Sequence, residues 1–272
     1  MLKDITLGQY FPVDSPVHRL DSRTKLILSF SYLLILFLAR GPAAYLLCAL
    51  AVVGVTAVSR IPFRMLLKSL KPIAFLAVFT SVLNMLYTPG QILWQWHFLR
   101  VTVEGLESAA YMASRIVMLV ASTSLLTYCT SPVSLTDAIE TLMRPLTKLR
   151  VPVHEFAMMM TIALRFVPLL LEEADKIMSA QKARGADMES GGLVQRIKAL
   201  VPVLIPLFVS AFRRAFDLAT AMESRCYHGG EGRTKMKQLH FGAVDWLVLL
   251  TAALALGGFV ALNLAFPPSI VR

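Results

Sequence analysis

The chain has 272 residues, 56% of them hydrophobic and 16% charged, with a formal net charge of +10. A mean hydropathy of +0.64 excludes an ordinary soluble domain, in which about a quarter of the residues are charged. The surplus Lys and Arg flank apolar runs, so they read as a bilayer-orientation signal, and lipid rather than nucleic acid is the expected surroundings.

In chain order, the first 25 residues are polar and the apolar run from Leu26 has no small-residue cleavage site, so no signal peptide is expected. Five apolar stretches approach the roughly twenty residues of a spanning helix. They are Leu26–Ala39 with its neighbours, closed by Arg40-Gly41-Pro42, then Ala43–Val58, Pro72–Thr88, Gly105–Tyr128 and Ala243–Phe266. Lys3, Arg19, Arg23 and Lys25 precede the first, and Arg60, Arg64, Lys68 and Lys71 lie between the second and third. The alternate loops hold only Arg40, Arg100 and Arg272. Cationic loops stay in the cytoplasm. The amino terminus is therefore expected inside and the carboxyl terminus outside. The expected fold is all-α and polytopic: a four-span membrane domain over 1–129, a long cytoplasmic or interfacial helical domain over 130–240, and a last spanning helix over 241–272.

Within 130–240, Phe156–Leu171 and Ala199–Phe212 admit two readings. Arg165 in the first would cost about 2.5–3.5 kcal/mol at mid-bilayer. The second has a length more often buried or interfacial than spanning. Long helices at the membrane surface are the favoured expectation. Insertion of both as a hairpin would leave the sidedness of the termini unchanged.

Ser134-Leu-Thr-Asp137 resembles an N-capping box. Leu135, Ile139, Leu142, Leu146 and Leu149 come next on one helix face, as core or as a stripe lying on the bilayer, and Pro145 predicts a kink. A second helix is expected from about Pro152 to Gly185, apolar first and charged in "EEADKIMSAQKARG". Arg184 in its last turn suits the negative end of the helix dipole, and Gly185 suits a left-handed closing position. A third helix, from about Leu193, again runs from apolar to charged and ends at Arg225. Two like tips on successive helices point to a partner with two like sockets, such as a dimer.

These residues resemble the T component of energy-coupling factor (ECF) transporters, the vitamin and metal uptake machines of prokaryotes. Ala183-Arg184-Gly185 matches the family's tip triplet in full, whereas Ser224-Arg225-Cys226 departs from it at both flanking positions. "GGEGRT", Gly229–Thr234, is similar to the family's continuation after the second tip, and "SPVHRLDSRTKL", Ser15–Leu26, to its stretch before the first span, with Ser22 where the family usually has proline. The resemblance implies a scaffold without catalytic residues, in the cell membrane of a prokaryote. Each arginine would dock in a groove of one of two ATP-binding cassette subunits, an identical or a mixed pair. It also implies a small membrane substrate-binding subunit, against which Met158, Met159, Met160, Leu169 and Leu170 are candidate contacts; lipid or core packing is the alternative for those side chains. Cys226 lacks glycine's freedom at positive φ, so the third helix is expected to run on by a turn and close at Gly229 or Gly230.

No GxxxxGK[ST] phosphate loop is present, because "GGEGRT" has no lysine before its threonine. His18, His97, His154, His228 and His240 lack metal-ligand spacing, and Cys48, Cys129 and Cys226 form neither a CxxC nor a disulfide framework. No enzyme activity, metal or cofactor of its own is expected, ATP being held by partners. Arg115 shares a helix face with Glu107 and Tyr111. It is a functional intramembrane charge, one buried against a neighbouring helix, or one in a span shifted so that it snorkels. The competing class is a permease or channel with its own substrate path.

Overall fold

The computed structural model describes residues 10–39, 41–96, 99–186, 192–230 and 239–265. Lys3, Arg40, His97, the 231–234 part of "GGEGRT", Phe266 and Arg272 lie outside the described residues. By contacts the chain forms two units, one of Gly8–Ala138 with Leu239–Arg272, the other including Ile139–Gln238.

The first unit opens on a one-turn helix, α1 (Pro16–Arg19), whose first turn is capped by the Ser15 hydroxyl. Asp21 then accepts from the Arg23 amide and starts α2 (Ser22–Leu38). Gly41 at φ 84 and Pro42 at the first helical position open α3 (Pro42–Ser59), and Arg60 closes it in the left-handed conformation. α4 (Phe63–Tyr87) begins after three residues. A two-stranded antiparallel ribbon, β1 (Ile92–Trp96) and β2 (Leu99–Thr102), leads to α5 (Val103–Cys129), which the Thr102 hydroxyl caps. α9 (Ala243–Ala265) ends the described chain.

Side-chain bonds set the directions. Tyr32 donates to the Cys48 carbonyl, Lys25 to that of Cys129, and Asp245 accepts from the Asp21 amide. The starts of α2 and α9 thus lie beside the end of α5, and α2 and α3 run in opposite senses. Two apolar clusters fill the unit. Ile35, Leu36, Ala39, Tyr45 and Cys48 form one, and Val52, Ile61, Leu66, Leu125, Tyr128 and their neighbours the other. Outside these, large apolar side chains face outward, among them Phe75 at 79% exposure and Leu254 at 67%. Only a hydrocarbon solvent makes such a surface stable.

The helical, polytopic fold expected from the sequence is present. Six described helices are long and apolar enough to cross a membrane, while α2, at 17 residues, spans about 25 Å. The third span begins earlier than Pro72. α4 starts at Phe63 and runs through Pro72, placing Arg64, Lys68 and Lys71 on its first turns rather than in a loop. A proline removes one helix donor, which a packed membrane helix tolerates.

The boundary between the units falls inside α6 (Pro132–Met143), after which comes a 3-10 helix (Arg144–Leu149) that contains Pro145, where a kink was expected. The capping residue is Ser131 rather than Ser134. Its carbonyl accepts from the Leu135 amide, its hydroxyl from the Ser134 amide, and Pro132 occupies the first helical position. Ile139, Leu142, Leu146 and Leu149 are all exposed, so this stripe is not core. α7 (Val153–Ala183) and α8 (Leu193–Glu223) come next, with Pro168 inside the first and Pro202 and Pro206 inside the second. Both are among the six helices of spanning length and composition.

Candidate coupling site

The α7 tip closes by a fully formed Schellman motif. The Ala186 amide donates to the Gln181 carbonyl at 3.0 Å and the Gly185 amide to that of Lys182 at 3.0 Å. Gly185 stands at φ 85. Arg184 is the capping residue, at φ -86 and ψ 6, and Ala183, Arg184 and Gly185 are all exposed.

The α8 tip repeats this closure. The Tyr227 amide donates to Met222 at 3.1 Å and the Cys226 amide to Glu223 at 2.9 Å. Cys226 takes the left-handed position at φ 55. The helix therefore does not run on to Gly229 or Gly230; it stops where the first tip stops. A cysteine in this conformation costs about 1 kcal/mol relative to glycine, and the two closing bonds hold it there. Ser224, Arg225 and Cys226 are exposed. Arg184 and Arg225 occupy equivalent places, each immediately before its left-handed residue.

The two helices are antiparallel. Glu173 on α7 accepts from Ser210 at 2.6 Å and from Arg214 at 2.7 Å on α8, and Gln181 donates to the Pro202 carbonyl at 3.4 Å. Moving toward the carboxyl end of α7 thus means moving toward the amino end of α8. From the level of the Glu173–Arg214 bond, Arg184 lies eleven residues on along α7 and Arg225 eleven residues on along α8, in opposite directions. At 1.5 Å per residue the tips stand roughly 30 Å apart. The α7 start is fixed as well: His154 bonds Glu140 at 3.1 Å, and Gly230 packs so closely on the His154 ring that a side chain would collide with it.

The apolar half of α7 presents Met159, Met160 and Leu169 to the outside, with Met158 and Leu170 partly covered. α8 adds an exposed row of Ile205, Phe208, Val209, Phe212 and Phe216. The phenylalanine row and the Glu173–Ser210–Arg214 bond were not singled out from sequence. The row's spacing of four is visible there, whereas the bond joins residues 37 and 41 positions apart.

In the first unit the Ser15–Leu26 stretch forms a polar clamp. Lys25, buried to 7% exposure, donates to the His18 carbonyl at 2.9 Å and the Cys129 carbonyl at 3.0 Å. Asp245, equally buried, accepts from the Asp21 and Gly242 amides at 3.0 and 2.9 Å. Arg23 lies over the Phe241 ring at 5.2 Å and donates to the Leu239 carbonyl. The clamp ties α1, α2, α5 and α9 together. Ser22 is the first helical residue, where proline is favoured because its missing amide would be unbonded anyway; serine there changes little.

Arg115 lies over the Tyr45 ring at 5.7 Å, and Tyr45 in turn packs on Tyr111 at 4.9 Å. Tyr45 is in the first turn of α3. Arg115 is therefore level with one end of α3, rather than deep in the bundle as its mid-helix position on α5 suggests. It is held by a cation–π contact.

A family profile described as cobalt transport protein (CbiQ) matches residues 14–236. Three relatives are each called energy-coupling factor transporter transmembrane protein EcfT. The Ruminiclostridium cellulolyticum protein is 53% identical over 91% of this chain and 93% of its own. The Acidaminococcus fermentans protein is 50% identical over 96% and 97%, and the Bacillus subtilis protein 48% over 92% and 95%. With the profile and the relatives each covering most of its length, the chain belongs to the cobalt transport protein (CbiQ) family of ECF-transporter transmembrane T components.

Proposed function

We propose that this chain is the scaffold through which two ATP-binding cassette subunits, identical or mixed, move a small substrate-binding membrane subunit to import a vitamin or metal ion. The observation that carries this reading is the pair of equivalent Schellman-closed arginine tips at opposite ends of one antiparallel helix pair. A guanidinium in that place offers a permanent charge and a forked donor set suited to carboxylates. ATP is bound and hydrolysed in the partners, and the closing and opening of the pair moves the tips. Rigid helices carry that movement to the methionine- and phenylalanine-rich faces of α7 and α8, which hold the substrate-binding subunit.

The cationic starts of α2 and α4 face the cytoplasm in this reading, and the carboxyl terminus lies outside. The test is co-expression with the ATP-binding subunits and affinity purification. Arg184→Glu or Arg225→Glu alone reduces recovery of the ATPase pair, and the double variant loses it. Undiminished recovery with the double variant overturns the proposal.

A further inference from the structure

The first unit holds a slot that none of its side chains fill. Its inner part is a cavity of about 310 Å³ between α2, α3, α5 and α9, with Leu28, Tyr32 and Ile35 from α2, Val55 from α3, Leu125 from α5 and Val248 from α9 among its walls. Beside it, at the ends of the same helices, is a second cavity of about 560 Å³ whose lining includes Arg19, Arg60, Asp14 and Asp245, and we take this as its mouth. Leu20 lines both, and Val244, Val248 and Ala252, on one face of α9, run from one into the other. From Lys25 to Ile35 the inner slot tracks α2 for about 15 Å. That is half of a roughly 30 Å hydrocarbon core, the depth of a single leaflet.

The charges at the mouth choose the occupant. Asp245 has already spent its oxygens on the Asp21 and Gly242 amides. Asp14 meets Arg19 only at 3.5 Å with both side chains largely in solvent, a pair that water screens. The exposed Arg60 guanidinium makes no hydrogen bond or ion pair among the described residues. Lys25 lines the slot just inside the mouth and uses two of its three donors on carbonyls. Arg64, Lys68 and Lys71 on the first turns of α4 add to the cationic character of this end of the bundle.

We infer that this slot holds one anionic phospholipid. Its phosphate sits between Arg19 and Arg60, and an acyl chain lies between α2, α3, α5 and α9. A basic pocket between membrane helices is the usual form of such a site. The lipid would cover the apolar wall of α9 and brace it against the clamp at Asp245.

The test uses the full chain with Trp94→Phe and Trp96→Phe, which leave Trp246, next to Asp245 on α9, as the one tryptophan. The protein is placed in vesicles of phosphatidylcholine containing brominated phosphatidylglycerol, brominated phosphatidylethanolamine or brominated phosphatidylcholine, and quenching of Trp246 is titrated. Brominated phosphatidylglycerol is expected to bind at least about fivefold more strongly than the other two, the worth of one arginine at a lipid surface. Arg19→Gln with Arg60→Gln should bring the ratio to about one, and Arg19→Lys with Arg60→Lys should keep most of it. Val248→Phe, which fills the slot, should reduce quenching by phosphatidylglycerol alone. Absence of a phosphatidylglycerol preference in the unaltered arginine pair overturns the inference. So does a preference for phosphatidylethanolamine, one that survives the Gln pair, or one that inorganic phosphate competes away.

Discussion

Arg214 of α8 donates to Glu173 of α7 at 2.7 Å, and Ser210 one turn earlier donates to the other carboxylate oxygen. One carboxylate thus bonds two α8 side chains. Both bonds are charge-assisted, which shortens them and fixes their geometry. Glu173→Ala should leave both tips intact while freeing the pair to slide. Uptake by the assembled transporter should then fall about tenfold or more, with ATPase-subunit recovery within about twofold of normal. Equal loss of recovery and uptake would show instead that the bond only maintains the fold.

The tips themselves should tell charge from geometry. Arg184→Lys keeps the positive charge but loses the forked donor set, so it should weaken recovery of the ATP-binding pair by about 1 kcal/mol, roughly fivefold. Arg225→Lys should do the same. A Lys variant indistinguishable from the natural protein would mean that a point charge suffices.

Cys226 offers a second comparison between the tips. Cys226→Gly should relieve the left-handed backbone at a gain of about 1 kcal/mol, and Gly185→Ala at φ 85 should lose a similar amount. Thermal denaturation of the purified protein should show shifts of a few degrees in opposite directions.

The clamp is expected to matter more for folding than for docking. Lys25→Met strips the His18 and Cys129 carbonyls of their buried donor, at about 1–3 kcal/mol for each. Lys25→Met should therefore lower the melting midpoint by several degrees, while ATP-binding subunits still copurify with whatever protein folds.

The apolar runs, their cationic flanks and the Arg184–Gly185 ending are legible in the sequence because each rests on local chemistry: hydrocarbon length, charge bias and glycine's access to positive φ. The second ending is not. Cys226 has no intrinsic preference for its conformation, and the two closing bonds impose it. The choice of Ser131 over Ser134 as cap was signalled by Pro132, whose fixed φ suits a first helical position. The partners of Glu173 could not be found by spacing, because they join only when two helices of 31 residues fold back on each other. The readings of Arg115 could not be separated from sequence, because its position along α5 says nothing of the level at which α3 begins.

The three cysteines differ in reach: Cys48 and Cys129 are buried and Cys226 is exposed. A maleimide dye or nitroxide will accordingly attach beside Arg225 without removal of any native thiol. Nature has left a spectroscopic handle on one tip and not the other, so the docking proposed for that tip alone can be looked for in real time through a nucleotide cycle.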